Sequence, residues 1–253
     1  MIDGFRDRLA ARRPLRGAFV SVPSPAVVEM CGHAGCDFVI LDREHGPAGD
    51  ETLENQVRAA DVANVASLVR VPSRAPEHIL HALDAGANGV LVPHLITADD
   101  AAAAVAAAHF PPRGIRGIST STRAGRYGLV TPAALVERSR REVVVVGQIE
   151  DGAALPNVGE IARVAGLDAM FVGPADLSTS LGYPGQPDHP EVAAAIDAIR
   201  TTVESVRGPA LANFARNEAE VARLAANGFT IVCLSSSAIM ARRLADLATS
   251  IKG

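Results

Sequence analysis

Short apolar runs alternate with longer amphipathic stretches along the whole chain. The runs are rich in Val, Leu, Ile and Ala and mostly end at Gly, Pro, Asn or Asp, which is typical of buried strands bounded by turns. The stretches between them carry apolar residues at helical spacing. Strands are predicted over residues 16–20, 37–41, 66–71, 89–92, 143–149, 168–172, 209–212 and 229–234, and helices over residues 24–34, 51–63, 75–85, 97–109, 153–165, 190–206, 217–226 and 237–251.

Eight strand–helix units follow a short helix near the start of the chain. Eight parallel units in 253 residues match the size of a (β/α)8 barrel, which is the predicted fold. A doubly wound sheet is the alternative, but it would need fewer strands or a second domain. No linker-like stretch divides the chain, so residues 1–253 are predicted to form one barrel domain. Two long loops, 110–130 and 173–189, are candidates for functional segments.

The composition narrows the function classes. The chain is 48% hydrophobic with 7 Phe, 2 Tyr and no Trp, an aliphatic content that suits parallel strands covered by helices. A net charge of −4 with scattered arginines argues against nucleic acid or an anionic membrane as partner. The chain shows no secretory h-region and no apolar run long enough to span a bilayer. Cys31, Cys36 and Cys233 are too few for a disulfide framework, so a cytoplasmic protein with free thiols is expected.

The lysine count excludes a further group of enzymes. Lys252 is the only lysine in the chain and stands next to its last residue. Schiff-base aldolases, pyridoxal-phosphate enzymes and P-loop nucleotidases each need a lysine inside the site. Any carbonyl chemistry here therefore uses another electrophile.

Chemically active side chains follow several of the predicted strands. In a barrel of this kind the carboxyl ends of the strands form one mouth, where the active site lies. Asp42 and His45 follow the second strand, Arg70 ends the third, Glu150 follows the fifth and Asp176 the sixth. This combination of residue types predicts a metal-assisted carbonyl site.

Each of these residues also has a structural interpretation. Glu150 and Asp176 suit a hard divalent cation, or each could cap a helix. Arg70 could hold a carboxylate or an enolate oxygen, or form a surface ion pair. Asp42 could orient the His45 imidazole for acid–base work, or His45 could bind a loop carbonyl. The remaining histidines have no catalytic partner visible in the sequence: His33, His78, His81, His94, His109 and His189.

Six segments carry a resemblance to a known family: DFVILDREHGP, LVRVP, LDAGANGVLVP, PPRGIRG, GQIED and MFVGPADLSTSLGYPGQPDHPEV. In this order they resemble the HpcH/HpaI family of class II pyruvate aldolases over nearly the whole chain. The resemblance implies a (β/α)8 barrel and a metal-dependent aldolase. Its reaction would be the reversible cleavage of a 4-hydroxy-2-oxo acid to pyruvate and an aldehyde, through a pyruvate enolate bound to the metal.

The resemblance also implies roles for the residues at the mouth. Glu150 and Asp176 would ligate Mg2+, Mn2+ or Co2+, which would bind the pyruvate carboxylate and keto oxygen in place of the missing lysine. Arg70 would stabilise the enolate. His45, oriented by Asp42 and acting through water, would move the proton of the 4-hydroxyl group.

The family pattern further implies a substrate cradle and an assembly. Gln148, Gly173, Pro174 and Ala175 would bind substrate, with backbone N–H groups around Gly173 holding its carboxylate. Asp84 would be a catalytic residue contributed across a subunit boundary. The assembly would be a homohexamer, a trimer of dimers that exchange their last helix, 237–251.

Two residues depart from the family pattern, and two other functions stay open. Phe19 stands where many relatives carry Trp, and Ser119 where glycine is common, which affects substrate preference rather than reaction. One alternative is a lyase acting on a CoA thioester, although no basic cluster suits a nucleotide phosphate. The other is a non-catalytic oligomer that binds a keto acid.

Overall fold

Eight parallel strands close into a barrel in the computed structural model of the chain, which describes residues 4–250. Each strand pairs with the next one along the chain, and the last pairs with the first. The predicted (β/α)8 barrel is therefore confirmed. The strands are β1 (Leu15–Val20), β2 (Phe38–Asp42), β3 (Ala66–Arg70), β4 (Gly89–Val92), β5 (Val144–Ile149), β6 (Ala169–Val172), β7 (Ala210–Phe214) and β8 (Ile231–Ser235).

Helices surround the barrel and connect its strands. They are α1 (Phe5–Ala10), α2 (Pro25–His33), α3 (Asp50–Val62), α4 (Pro76–Asp84), α5 (Ala98–Ala108), α6 (Pro132–Glu142), α7 (Val158–Ile161), α8 (Pro174–Ser180), α9 (Pro190–Ser205), α10 (Glu218–Ala226) and α11 (Ser236–Ser250). Two short 3-10 helices span Arg126–Gly128 and Gly152–Asn157.

The sequence patterns misjudged three of these helices. No helix was predicted over α6 or α8, because both adjoin loops rich in Gly, Pro, Ser and Thr that hide their short periodic segments. The continuous helix predicted over residues 153–165 was also wrong. Pro156 lies inside that segment and lacks an amide hydrogen, so a 3-10 helix and the short α7 replace it. The predicted end of the last helix, residue 251, lies outside the described residues.

The barrel interior is packed with alternate side chains of the strands, and α1 closes its amino-terminal end. Phe5 and Leu9 of α1 are buried in the same apolar cluster as Leu15 and Phe38. The Phe5 and Phe38 ring centroids are 6.0 Å apart. This apolar closure leaves the opposite end, where the strands finish, as the open mouth of the barrel. No helix within residues 4–250 is both long and apolar enough to span a lipid bilayer.

Candidate active site

A cavity of about 260 Å3 opens at the carboxyl ends of the strands. Because all eight strands are parallel, residues that end different strands meet at this mouth. The side chains at the cavity include Phe19, His45, Arg70, Gln148, Asp176 and Phe214. Pro174, Ala175 and Gly173 also line it. The fold thus brings together most of the residues that the strand ends predicted.

A buried ion pair joins the ends of β2 and β3. Arg70 donates from Nε to Asp42 Oδ1 at 2.9 Å and from Nη2 to Oδ2 at 2.7 Å. The pairing follows from the register, because Asp42 lies opposite Arg70 on neighbouring strands. The third nitrogen, Nη1, lies 3.1 Å from Glu44 Oε2, and the guanidinium carbon lies 4.9 Å from the centre of the Phe19 ring. Arg70 is therefore held rigidly and faces the cavity.

Asp42 also organises the loop that follows β2. Its carboxylate accepts the backbone N–H groups of Glu44 at 3.1 Å and His45 at 3.2 Å, and the Ser21 hydroxyl at 3.2 Å. Burial raises the pKa of the Asp42 carboxyl, but the hydrogen bonds and charge of Arg70 and the two backbone donors outweigh burial, so that the pKa is lowered overall. Asp42 is an ionised anchor of the site.

The predicted side-chain dyad of Asp42 and His45 is not what the structure shows. Among the described residues, Asp42 contacts the backbone of His45 rather than its ring. The His45 ring is 64% exposed, and its Nε2 lies 3.9 Å from Glu44 Oε2. The difference arises because both Asp42 oxygens are already engaged by Arg70 and by the loop backbone. His45 stands at the rim of the cavity with its imidazole free to reach a ligand.

Glu150 is the most deeply buried carboxylate at the mouth. It follows β5, is 1% exposed, and accepts the backbone N–H of His94 at 3.0 Å and a short hydrogen bond from Gln148 Nε2. Burial, together with the nearby carboxylates of Glu44 and Asp176, raises its pKa to about 7 against the lowering effect of His94. The site therefore has a buried acid without enough positive charge around it.

Gly173 permits the close approach of β6 to this acid. A Cβ atom at Gly173 would lie 2.9 Å from Gln148 Nε2 and 2.9 Å from Glu150 Oε2, so a side chain there would displace one of them. Helix α8 begins directly afterwards at Pro174, with Gly173 at the N-cap. Asp176 therefore lies in the first turn of α8 rather than at the N-cap, and the cap interpretation of Asp176 was wrong. Its exposed side chain lines the cavity.

His94 is a residue of this site that the sequence analysis missed. It follows β4 with a backbone φ of 55°, and its ring Nδ1 lies 2.9 Å from Asp151 Oδ2 and 3.4 Å from Glu150 Oε1, while Nε2 lies 3.4 Å from Glu44 Oε1. Burial lowers its pKa, but the three carboxylates outweigh burial and raise it overall. The sequence signal that could have identified His94 is its position two residues after the predicted strand 89–92.

The donor set at this mouth fits a divalent cation. One ligand atom each from Glu44, His94 and Glu150 lies within 4.8 Å of the others. Carboxylate oxygens are ligands of Mg2+ and Mn2+, and imidazole nitrogens are ligands of transition-metal ions such as Co2+. Gln148 Oε1 is buried without a hydrogen-bond partner among the described residues, and the pKa of Glu150 is raised even though the His94 ring lies 3.4 Å from it. Both features are those of a prepared cation site rather than of a closed structural network.

The sequence model of the HpcH/HpaI aldolase/citrate lyase family matches residues 16–243. The chain belongs to this family. It is 42% identical over 192 residues to a hydroxypyruvate/pyruvate aldolase of Sagittula stellata, covering 76% of this chain and 75% of that protein. It is 37% identical over 232 residues to a 5-keto-4-deoxy-D-glucarate aldolase of Klebsiella pneumoniae, covering 92% of this chain and 90% of that protein.

The fold comparison agrees with the sequence comparison. A crystal structure of an HpcH/HpaI aldolase/citrate lyase family protein from Burkholderia cenocepacia superimposes with a TM-score of 0.93 at 31% identity, covering 99% of this chain and 100% of that chain. Relatives named aldolases, with identities of 37% and 42% over most of the chain, make this HpcH/HpaI protein a carbon–carbon lyase of the aldolase type.

Asp84 lies away from the mouth of its own barrel. It ends α4, and a helix that leaves the mouth after β3 ends at the opposite side of a barrel. There Asp84 Oδ1 accepts from Arg116 Nη2 at 2.6 Å, and Arg116 lies over the Phe110 ring at 4.6 Å. Within one chain Asp84 cannot reach the cavity, so a catalytic role for it stays a prediction that requires a second subunit.

The two departures from the HpcH/HpaI pattern have different surroundings. Phe19 lies in the cavity wall, with its ring edge-on to Phe171 at 5.7 Å and to Phe214 at 6.0 Å. Ser119 lies on the exposed loop before α6, and its hydroxyl accepts the backbone N–H of Ser121 at 3.3 Å. Only Phe19 touches the candidate site.

Proposed function

We propose that this chain catalyses the reversible aldol cleavage of a 4-hydroxy-2-oxo acid to pyruvate and an aldehyde with the help of a divalent cation. The observation that carries the proposal is the juxtaposition, at one barrel mouth, of a buried Glu150 whose pKa is raised with the rigid Arg70–Asp42 pair. A cation site beside a fixed guanidinium is what a reaction needs when it develops negative charge on a keto oxygen.

We propose Glu150 and Asp176 as protein ligands of the cation, which is Mg2+, Mn2+ or Co2+. When bound, the cation supplies Lewis acidity to the keto group and the carboxylate of the substrate. Glu44, His94 and Glu150 form an alternative ligand set, which shares only Glu150 with the proposed one. His94 is 51% exposed on its side chain, and its ring is already engaged by Asp151 at 2.9 Å, which favours Asp176 as the second ligand.

Arg70 stabilises the charge that the reaction creates. Cleavage of the C3–C4 bond leaves an electron pair that delocalises onto the keto oxygen as an enolate. The Arg70 guanidinium donates to that oxygen, and Asp42 holds it in place so that it needs no reorganisation as the charge develops. In the synthetic direction the same pair favours formation of the enolate.

His45 moves the proton of the 4-hydroxyl group. Its imidazole lines the cavity and is exposed at the rim, within reach of the end of a substrate that projects from the cavity. Acting directly or through one water molecule, it removes the hydroxyl proton during cleavage and returns it during addition.

The remaining groups orient the substrate. The first-turn N–H groups of Ala175 and Asp176 have no partner within helix α8 and point toward a bound carboxylate. Gln148 holds Glu150, and Gly173 leaves the space between them. The Phe19, Phe171 and Phe214 rings form an apolar wall that excludes water from the enolate.

The assay that tests this function measures pyruvate release from 4-hydroxy-2-oxo acids. We expect no release from metal-stripped protein and activity restored by Mg2+ or Mn2+. If a folded, metal-loaded protein releases no pyruvate but cleaves a CoA thioester, it is a thioester lyase. If it binds pyruvate without turnover of either substrate class, it is a keto-acid-binding protein, and the proposed function is wrong.

Titration with Mn2+ separates the two ligand sets without relying on activity. We expect Glu150→Gln and Asp176→Asn to weaken Mn2+ binding by at least about tenfold, measured as free Mn2+ by electron paramagnetic resonance. His94→Ala should weaken it less than either of these, because the backbone N–H of residue 94 still bonds Glu150. If His94→Ala weakens Mn2+ binding more than Asp176→Asn does, the ion is bound by Glu44, His94 and Glu150 instead.

We also propose a homohexamer, a cytoplasmic trimer of dimers in which α11 packs on a neighbouring subunit. Only Ser236 of α11 is buried, and its hydroxyl donates to the Phe19 carbonyl oxygen at 2.8 Å. The rest of the helix exposes the apolar residues Ile239, Met240, Leu244 and Leu247. Light scattering should give six copies, and Leu244→Glu should reduce that number.

Asp84 would act across the boundary between subunits. This role requires an assembly in which the far end of one barrel faces the mouth of the next and brings Asp84 near His45 of that neighbour. Mixing Asp84→Asn and His45→Gln chains in one hexamer should restore part of the activity that each variant lacks alone. No recovery in hexamers shown to be mixed would remove Asp84 from the site.

A further inference from the structure

Two thiols lie together at the closed end of the barrel, outside the catalytic scheme. Cys31 is in the last turn of α2, and Cys36 lies between α2 and β2. Helix α2 leaves the mouth after β1, so its end lies at the opposite side. Cys233, the third cysteine, is buried on β8 within the barrel and serves as an internal reference.

The backbone at the end of α2 brings the two thiols together. Gly35 adopts a φ of 88°, its N–H donates to the Gly32 carbonyl at 3.0 Å, and the Cys36 N–H donates to the Cys31 carbonyl at 3.0 Å. These two bonds define a Schellman motif, in which the side chains at the ends of the outer bond contact each other. In most proteins that contact is apolar; here both positions are cysteine.

The same hydrogen bond limits the distance that a disulfide would span. With standard backbone geometry, the 3.0 Å N–O bond leaves the Cα atoms of Cys31 and Cys36 no more than about 7 Å apart. Disulfides usually join Cα atoms about 4.4–6.8 Å apart. A bond between the two sulfurs therefore needs little or no movement of the backbone.

The surroundings give the two thiols different reactivities. Cys31 is buried in the core that the helices form over the barrel, and Cys36 packs against that core while partly exposed. A hydrogen bond between the thiols lowers the pKa of Cys36 to about 7, against the effects of burial and of Asp37, with a smaller lowering by Arg16. The same contact and burial raise the pKa of Cys31. Asp37 is itself neutralised by Arg8 at 2.8 Å.

We propose that Cys36 and Cys31 form an oxidisable dithiol, which hydroperoxides convert into an intrachain disulfide with Cys36 as the attacking sulfur. The Cys36 thiolate attacks the peroxide O–O bond, an S–O bond forms, and an alcohol or water leaves with one proton. The Cys31 sulfur then attacks Cys36, the S–S bond forms, and the S–O bond breaks as water leaves with the Cys31 proton. Two thiols are oxidised by two electrons, and one peroxide is reduced.

The test exposes the purified full-length protein to hydrogen peroxide, blocks the free thiols by alkylation, and identifies disulfide-linked peptides by mass spectrometry. We expect a Cys31–Cys36 linkage that dithiothreitol reverses, with Cys233 alkylated only after unfolding. Cys233→Ser should behave like the wild type.

Two variants test the order of the steps. Cys36→Ser should leave Cys31 unoxidised, because the buried thiol lacks thiolate character. Cys31→Ser should stop the reaction at a Cys36 sulfenic acid, which dimedone traps. Cys31→Ala removes the thiol that donates to Cys36 and should slow alkylation of Cys36 in the folded protein at pH 7 by roughly threefold. A smaller fraction of Cys36 is then thiolate, and the greater nucleophilicity of that thiolate offsets only part of the loss.

Three results would overturn the proposal. In one, Cys36 of the wild type is alkylated no faster than Cys31. In another, peroxide leaves the wild-type pair reduced. In the third, the linkage joins different chains rather than Cys31 and Cys36 of one chain. Because none of these readouts measures catalysis, failure of the aldolase assay and failure of the dithiol proposal are distinguishable.

Discussion

The two ends of the barrel treat buried charge in opposite ways. At the mouth, the carboxylates of Asp42, Glu44 and Glu150 surround one guanidinium, Arg70. At the closed end, each of three aspartates has an arginine partner, in Arg6–Asp168 at 2.8 Å, Arg8–Asp37 at 2.8 Å and Arg116–Asp84 at 2.6 Å, and Arg16 lies 4.0 Å from Asp37 as well. Among these groups, the carboxylates at the mouth outnumber the arginine, whereas those at the closed end do not.

Two titratable groups report this difference. At the mouth, burial and neighbouring carboxylates raise the pKa of Glu150 to about 7. At the closed end, burial together with the cations Arg113, Arg6 and Arg116 lowers the pKa of His109 to about 4. A stabilising network satisfies its own charges, whereas a binding site leaves charge for its ligand. The comparison supports the proposal that the mouth, rather than the closed end, is the catalytic end of the fold.

The largest expected contrast is between Glu150→Gln and Asp168→Asn, which neutralise one buried carboxylate at each end. Glu150→Gln should lower metal-dependent kcat by at least about a thousandfold, with little change in unfolding free energy because it removes an under-compensated charge. Asp168→Asn should keep kcat within about twofold and lower the unfolding free energy by about 2 kcal/mol, since Arg6 loses its partner.

Steady-state kinetics and urea denaturation of both variants measure this contrast. Equal losses of stability with equal activities would mean that the two ends do not differ in role. Preserved activity in Glu150→Gln would remove that carboxylate from the cation site.

The second contrast replaces an ion-paired arginine with lysine at each end. Arg70→Lys keeps the charge but loses the two-pronged contact with Asp42, so kcat should fall by about a hundredfold with a smaller change in KM. Arg6→Lys loses the two-nitrogen contact with Asp168 and should leave kcat within about twofold while reducing thermal stability. A rise in KM alone for Arg70→Lys would show that Arg70 only binds the substrate carboxylate.

A smaller effect concerns the pH dependence of stability. His109 is buried and its folded-state pKa is about 4, below the unfolded value near 6.5. Its contribution is therefore complete above about pH 6.5 and is lost as pH falls toward 4. Between pH 7 and pH 5 the unfolding free energy should drop by about 2 kcal/mol on this account. His109→Gln should remove that part of the slope in urea denaturation; an unchanged slope would contradict the expected titration.

The smallest expected effect is on substrate choice. Phe19→Trp enlarges the aromatic wall beside Arg70 without touching a charged group. Metal dependence and kcat with pyruvate should stay within about threefold, while relative kcat/KM for aldehydes of different size should shift by up to about tenfold. Ser119→Gly, on the exposed loop, is the matched control and should leave that ranking unchanged.

Part of the site followed from local sequence and part did not. Asp42, Arg70 and Glu150 were predictable because each directly follows an apolar run, and parallel strand ends converge. Their partners were not predictable, because the Asp42–Arg70 bond depends on the register of β2 against β3. His94 was missed for the same reason, since its contacts with Glu44 and Asp151 join separate strand ends.

The sequence by itself determined the barrel, because eight short apolar runs separated by helical periods leave few other ways to bury them. It also determined which residue types stand at the strand ends and, through its single lysine, which carbonyl chemistry is absent. Only the tertiary structure decided which charges are paired, that Asp84 lies at the end opposite the mouth, and that a backbone hydrogen bond brings Cys31 and Cys36 together. Hydrophobic periodicity is a local property of the chain, whereas charge compensation depends on groups that are distant in sequence and meet only after the barrel closes.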